Sequence, residues 1–138
     1  MRLQSAMIYV SDLPRMRAFY RKLLGRDPVN TEWTDTWALF DTGGADFALH
    51  QIPTEAIDNP AGAGSRPTHG VDRAAPRETN PVKLTFAVDN VRAERVRLEA
   101  MGVPVIQRPW QEPDEACEAV DPEGNIFQLT VSLRSNAR

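Results

Sequence analysis

Few side chains in this sequence are able to do chemistry, and their types narrow what that chemistry can be. There are two histidines, His50 and His69, one cysteine, Cys117, and two lysines, Lys22 and Lys83, set against fourteen arginines. An imidazole can move a proton or hold a metal near neutral pH. His50 lies in the alternating segment Phe47-Ala-Leu-His50, where it is either a proton-transfer group or, more plainly, a strand histidine with one ordinary hydrogen bond. His69 falls in a proline-rich stretch and is expected in solvent. Cys117 has no second cysteine to pair with and no base beside it in sequence, so an inert buried thiol is expected rather than a nucleophile or a zinc ligand. Lys83 carries more information. Alternation places it opposite Leu84, Phe86 and Val88, which share their face with Val82. An ammonium there is costly to desolvate unless an anion accompanies it. Glu118 and the carboxylate or phosphate of a ligand are the two candidate partners, and extension of the lysine head to the rim is the alternative. A desolvated lysine can also serve as a base or Schiff-base former. Asp121-Pro-Glu-Gly124 reads as a turn rather than a carboxylate pair. No glycine-rich phosphate loop, Ser-His-Asp set or nucleotide fingerprint accompanies these residues.

The elements that must position these groups come in duplicate. Asp12 precedes Gly25 by thirteen residues and Asp89 precedes Gly102 by thirteen; Asp41-Thr-Gly-Gly44 leads into one strand-like run and Asp121-Pro-Glu-Gly124 into another. The offsets are 77 and 80 residues, a twofold repeat. The spacing predicts a first helix capped by Ser11 or Asp12, with Pro14 in its first turn and Gly25 as a left-handed C-cap. Its apolar stripe is Leu13, Met16, Tyr20, Leu23 and Leu24. The second helix repeats this from Asp89 to Gly102 on a sparser stripe of Val91, Leu98 and Met101. In each half one strand face is apolar and the other mixed. Ala6, Ile8 and Val10 oppose Ser5, Met7 and Tyr9; Phe47 and Leu49 oppose Ala48 and His50; Phe127, Leu129 and Val131 oppose Gln128 and Thr130. Further strands are predicted near 36–41, 103–108 and 116–121. Trp33 and Trp37 near the first hairpin read as core or cleft wall rather than as a stacking platform.

At 138 residues with 41% apolar content, one domain is expected: a first module over about 1–52, a second over about 82–133, and between them a loop at 53–81 with five prolines and three glycines. A connection of that length is a lid, a partner-contacting arm or a disordered linker. Trp110, between prolines in a polar loop, is a second candidate cover. The net charge of −3 argues against a nucleic-acid reader. No apolar run approaches a membrane span, and Met1-Arg-Leu-Gln-Ser5 lacks the apolar core of a signal peptide. With a single cysteine, a cytoplasmic protein is expected.

Tyr-Val-Ser-Asp-Leu with Phe-Tyr and Leu-Leu-Gly (9–25), Phe-Ala-Val-Asp-Asn-Val (86–91) and Asp-Pro-Glu-Gly-Asn-Ile-Phe-Gln-Leu (121–129) resemble the vicinal oxygen chelate superfamily of glyoxalases, bleomycin-resistance proteins and extradiol dioxygenases. The resemblance implies an α+β fold of two βαβββ modules forming a curled mixed sheet around a central cleft, a homodimer, and in many members a divalent metal. The metal ligands of that family stand near the start of each half's first strand and on each half's last strand. Here those positions are Ser5, Ala48, Lys83 (or Val82 if the register slips by one) and Gln128. An ammonium repels a divalent ion and alanine has no electron pair to offer, so of the four only Gln128 can coordinate. A strand slip that assembled His50, Gln4 and Gln128 would turn Ile8 and Val10 out of the core. The reading is a small-molecule binder with no metal cofactor. Ser5, Met7, Tyr9, Ala48 and His50 line its cleft from the first half, and Lys83, Thr85, Gln128 and Thr130 from the second, with Trp110 and the 53–81 loop as covers. The ligand expected is a small organic molecule with an anionic or hydrogen-bonding head, and no catalytic residue is assigned. The alternatives are a metal-dependent lyase or dioxygenase, and a metal-free enzyme moving a proton with His50 or Lys83.

Overall fold

Helix α1 (Leu13–Leu24) forms where both of its ends are chemically specified. Asp12 is the N-cap and its carboxylate accepts from the Arg15 amide at 3.1 Å; Gly25 closes the other end at φ 63°. The helix buries Leu13, Met16, Tyr20 and Leu23, while Leu24 is only half-buried. Gln51 joins the helix start to the sheet. Its side-chain oxygen accepts from the orphan Leu13 amide at 2.9 Å, and its nitrogen donates to the Ser11 carbonyl at 2.9 Å.

The computed structural model describes residues 1–53 and 76–131; His69 and the loop at 54–75 lie outside the described residues, as do 132–138. The chain divides into two compact units, Met1–Ala74 and Ala75–Arg138. In the first, β1 (Ser5–Val10) runs parallel to β3 (Asp46–Gln51), and β3 pairs antiparallel with β2 (Trp37–Phe40), in the order β1-β3-β2. The parallel pair requires a crossover, which α1 supplies. Phe47 and Leu49 face the helix, with the Tyr20 and Phe47 rings 4.7 Å apart, edge to face. This unit has three strands among its described residues rather than the four expected. The stretch after α1 does not form a ladder because Pro28 lacks an amide and Asn30 bonds through its side chain. The Val29 amide donates to Leu39 O at 2.7 Å, the Leu39 amide to Asn30 Oδ1 at 2.9 Å, and Asn30 Nδ2 to the Trp37 carbonyl at 3.2 Å.

The second unit repeats this arrangement and adds an edge strand. β4 (Leu84–Val88) is parallel to β7 (Ile126–Val131), β7 antiparallel to β6 (Ala116–Val120), and β6 to β5 (Val105–Ile106). Helix α2 (Val91–Ala100) provides the crossover and packs toward β5, β6 and β7. Its N-cap is Asn90, one residue later than expected, because Asn90 Oδ1 accepts from the Ala93 amide at 2.9 Å while Asp89 precedes the helix. Val82 does not share the Leu84 face: it precedes the strand and is exposed. β5 is two residues long, between Pro104 and Pro109.

The Asp121 turn behaves as its residue types require. The Gly124 amide donates to Asp121 O at 3.0 Å with Gly124 at φ 86°. The buried Asp121 carboxylate also accepts from the Glu123 and Asn125 amides at 3.0 and 2.9 Å and from Asn125 Nδ2 at 2.8 Å. Asp121→Ala therefore strips several donors in a buried site, whereas Asp12→Ala removes one exposed cap. Urea denaturation should show Asp12→Ala costing about 1 kcal/mol and Asp121→Ala on the order of 3 kcal/mol; equal costs would contradict this account.

Candidate functional site

Strand register decides which side chains meet. In the first unit Ser5 pairs with Asp46, Met7 with Ala48 and Tyr9 with His50, and across β3 Ala48 pairs with Leu39 and His50 with Trp37. The face away from α1 thus carries an aromatic row, Trp37, His50 and Tyr9, above Met7, Ala48 and Leu39. The His50 ring meets Tyr9 edge-on at 5.3 Å. His50 Nδ1 lies 3.0 Å from the Gln51 carbonyl, which can only accept, so Nδ1 carries the proton. That is the ordinary hydrogen bond of a strand histidine. Ala48 is fully buried, while Met7 and Tyr9 are exposed. Trp33 is exposed rather than core, in the left-handed region at φ 60°, where its carbonyl accepts from the Thr36 and Trp37 amides and the Thr36 hydroxyl. With Val29, Glu32 and Trp37 it borders an open groove of about 520 Å³.

The corresponding face of the second unit is charged. Thr85 pairs with Gln128 and Gln128 with Glu118; Ala87 pairs with Thr130 and Thr130 with Ala116. Leu84 pairs with Phe127, so Lys83 lies one step further, beside Ile126, as Ser5 lies beside Asp46 in the first unit. Lys83 also stands seven residues before the cap Asn90, as Ser5 stands before Asp12. Lys83 and not Val82 is the equivalent of Ser5. Its ammonium donates to Glu118 Oε1 at 2.5 Å, and Arg108 Nε donates to Glu118 Oε2 at 2.7 Å. Arg108 also gives Nη2 to both oxygens of Glu78, at 2.9 and 3.1 Å, and its guanidinium lies 5.9 Å from the Trp110 ring centre. A small polar cavity of about 110 Å³ adjoins Lys83, Arg108, Glu78 and Glu118.

Glu118 is 1% exposed, against 43% for the Lys83 side chain and 19% for Arg108. Burial alone pushes its carboxyl upward, but the hydrogen bonds from Lys83 and Arg108 outweigh that and hold it below the usual carboxylate range. The same bond, with that to Glu78, raises Arg108. Burial pushes the Cys117 thiol up, consistent with an inert group. Of the other expected lining residues, Thr85 is exposed, Gln128 half-buried, and Thr130 buried with its hydroxyl donating to the Glu115 carbonyl at 3.1 Å. Trp110 is 76% exposed and lies against Arg108. Arg108 and Glu78 escaped sequence reasoning. The signals available were an arginine next to Pro-Trp and an acid at the end of the unpatterned loop.

The donor set does not fit a divalent metal. Ala48 offers no lone pair, and the Lys83 ammonium occupies an oxygen of Glu118, the nearest carboxylate to Gln128 across the sheet. Gln4 lies five residues before Tyr9, the partner of His50, so Gln4 and His50 are about 16 Å apart along the strands and cannot share an ion. Among the described residues no group of three or more His, Cys, Asp or Glu side chains is placed to hold a metal.

Because the folded-state carboxyl of Glu118 sits below its unfolded value, its stabilising contribution is complete above the ordinary carboxylate range. It is lost as pH falls through the folded value. Glu118→Gln, which leaves two cations facing a neutral amide, should cost on the order of 3 kcal/mol at pH 7. Its urea midpoint should also fall less than that of the wild type between pH 5 and 3. An unchanged acid limb would show that Glu118 does not carry this dependence.

The profile of the Glyoxalase/Bleomycin resistance protein/Dioxygenase superfamily matches residues 2–129. Among curated proteins, none matches the chain. Solved structures with the same fold include a protein of unknown function from Agrobacterium tumefaciens, 24% identical with a TM-score of 0.65, covering 96% of this chain and 95% of that one. The trypanothione-dependent glyoxalase I of Leishmania major is 19% identical with a TM-score of 0.62, over 99% and 91%. A mutant of the fosfomycin resistance protein FosX of Listeria monocytogenes, complexed with Mn(II) and 1S,2S-dihydroxypropylphosphonic acid, is 15% identical with a TM-score of 0.63, over 99% and 94%. The duplicated strand-helix-strand frame and the profile match agree: this chain belongs to the Glyoxalase/Bleomycin resistance protein/Dioxygenase superfamily.

Proposed function

We propose that this chain is a metal-independent, small-molecule-binding member of its superfamily, and that the mixed sheet faces are its ligand surface. The observation that carries this reading is the ion pair from Lys83 to Glu118. A cation already stands at the Ser5-equivalent position of the second unit, and the acid beside Gln128 is spent on it. A divalent ion placed there would meet an ammonium and would have to take Glu118 from two hydrogen-bonded partners. The manganese complex of the FosX mutant is a property of that protein; among the described residues of this chain no group of three or more His, Cys, Asp or Glu side chains is placed to hold such an ion.

What remains is one mixed sheet face in each unit, and ligand sites combine apolar walls with a few polar groups. Met7, Tyr9, His50 and Trp37 supply flat contact area in the first unit. Thr85, Gln128, Lys83 and Arg108 supply hydrogen-bond donors in the second. The ligand in this reading is a small organic molecule with an apolar body and a polar head. We place the protein in the cytoplasm as a homodimer, since an open sheet leaves edge strands that a second copy can cover; no helix among the described residues is long and apolar enough to cross a membrane.

Protein purified without chelator should contain metal far below one ion per chain by elemental analysis. Native mass spectrometry should find a dimer that carries or takes up small organic molecules. Stoichiometric nickel, zinc, iron or manganese would overturn the reading, and a single-chain mass at micromolar concentration would overturn the dimer.

A further inference from the structure

Two carboxylates hold Arg108, and they are not equivalent. Glu118 is 1% exposed and is gripped by both Lys83 and Arg108; Glu78 is 58% exposed and is gripped by Arg108 alone. Breaking the first contact would leave a buried charge without its full complement, which is expensive. Breaking the second releases an exposed side chain into water, and exposed ion pairs contribute little. The contact that gives way first is therefore Glu78 on Arg108.

The charge count points the same way. The cavity is lined by three cations, Arg77, Lys83 and Arg108, against two carboxylates, Glu78 and Glu118, so its net charge is +1 with Glu78 in place and +2 without it. The two oxygens of Glu78 share the single Nη2 of Arg108 rather than taking the two-nitrogen fork that grips a carboxylate most firmly. Among the described residues, Arg108 Nη1 makes no hydrogen bond and the Lys83 ammonium makes only the one to Glu118. With Glu78 swung away, donors from Lys83 and Arg108 face the 110 Å³ cavity, which Arg77 also lines and which has space for one head group and not for a whole ligand.

We infer that Lys83 and Arg108 form a subsite for an oxyanion head group, a carboxylate or a phosphate-like group. Glu78 is a built-in mimic of that group which the ligand displaces. The inference rests on the reading of the chain as a small-molecule binder and names the polar end of its ligand. A guanidinium already fixed through Nε to Glu118 presents its remaining N–H groups in a set plane, which suits planar or tetrahedral oxyanions. Trp110 supports the guanidinium from its ring side at 5.9 Å.

Isothermal titration with inorganic phosphate and, separately, with acetate tests this at fixed ionic strength on the full-length protein. It is run on the wild type and on the Glu78→Gln and Arg108→Gln variants. Glu78→Gln should bind about two- to fivefold more tightly than the wild type, the range that removal of an exposed competing ion pair allows. Arg108→Gln should lose binding. Because Arg108 also holds Glu118, Arg108→Lys serves as a second variant that keeps the charge but not the fork; it should bind more weakly than the wild type while unfolding as a cooperative unit. A preference for acetate over phosphate, or the reverse, identifies which oxyanion the subsite takes. Equal affinity of the wild type and Glu78→Gln, undiminished binding in Arg108→Gln, or no binding of either anion to Glu78→Gln overturns the inference. A neutral organic molecule retained in native mass spectra, with no anion binding, would sink this inference and leave the proposed function standing. Anion binding by a protein that carries stoichiometric metal would do the reverse.

Discussion

The second module is organised around one buried carboxylate. Glu118 stands on β6 with both oxygens occupied, one by Lys83 from the approach to β4 and one by Arg108 from the exit of β5. Those two strands are the opposite edges of a four-stranded sheet. The pair of bonds thus spans the sheet from side to side and fixes where the flanking loops begin. Each bond depends on the other. A carboxylate this buried stays ionised because two cations reach it, and Arg108, the less exposed of the two, can leave most of its water because the acid is there. Arg108, once held, in turn positions Trp110 and Glu78, so the arrangement of this whole end of the module follows from a single acid.

The scaffold was legible because backbone chemistry wrote it into local residue types. Asp12, Pro14 and Gly25 each have a position on a helix end where they cost least, and α1 uses all three so. Alternation between Leu84 and Val88 and between Phe47 and His50 survives as the two faces of each sheet. The turn at Asp121 is a local device whose partners lie within four residues. Lys83 was legible too, since a rare cation on a strand approach must answer for its desolvation, and Glu118 was among its candidate partners.

What was not legible involves side chains that stand in for backbone, or partners distant in sequence. Asn30 bonds to β2 through its amide group, which no periodicity reports, and the fourth strand implied by the family resemblance is absent from the first module's described residues. Asn90 takes the cap one residue beyond Asp89, a choice between two adjacent acceptable residues that only geometry decides. Arg108 meets Glu78 across thirty residues of chain, out of a segment with no pattern to read. Trp33 has the size and apolarity of a core residue, yet a tight turn that uses its carbonyl three times directs it outward. The long loop that holds His69 offers no such handle.

Comparison of the two modules separates what the frame needs from what it merely carries. Their strands pair in the same order and register, so Ser5 corresponds to Lys83, Ala48 to Gln128, Leu39 to Glu118 and His50 to Thr130. The helix-facing side chains are apolar in both, because burying them is what closes each module. The opposite face is free of that demand, and there the two halves have diverged to contrary chemistry, aromatic in one and ionic in the other. The first module is its own control: with Leu39 and Ser5 where the second has Glu118 and Lys83, the same frame forms without an ion pair at those positions. Replacing an ion pair by apolar groups of matching shape is commonly neutral or favourable for stability, so folding alone gives no reason to keep the charges of the second module. A reason has to be sought in what its charged face meets.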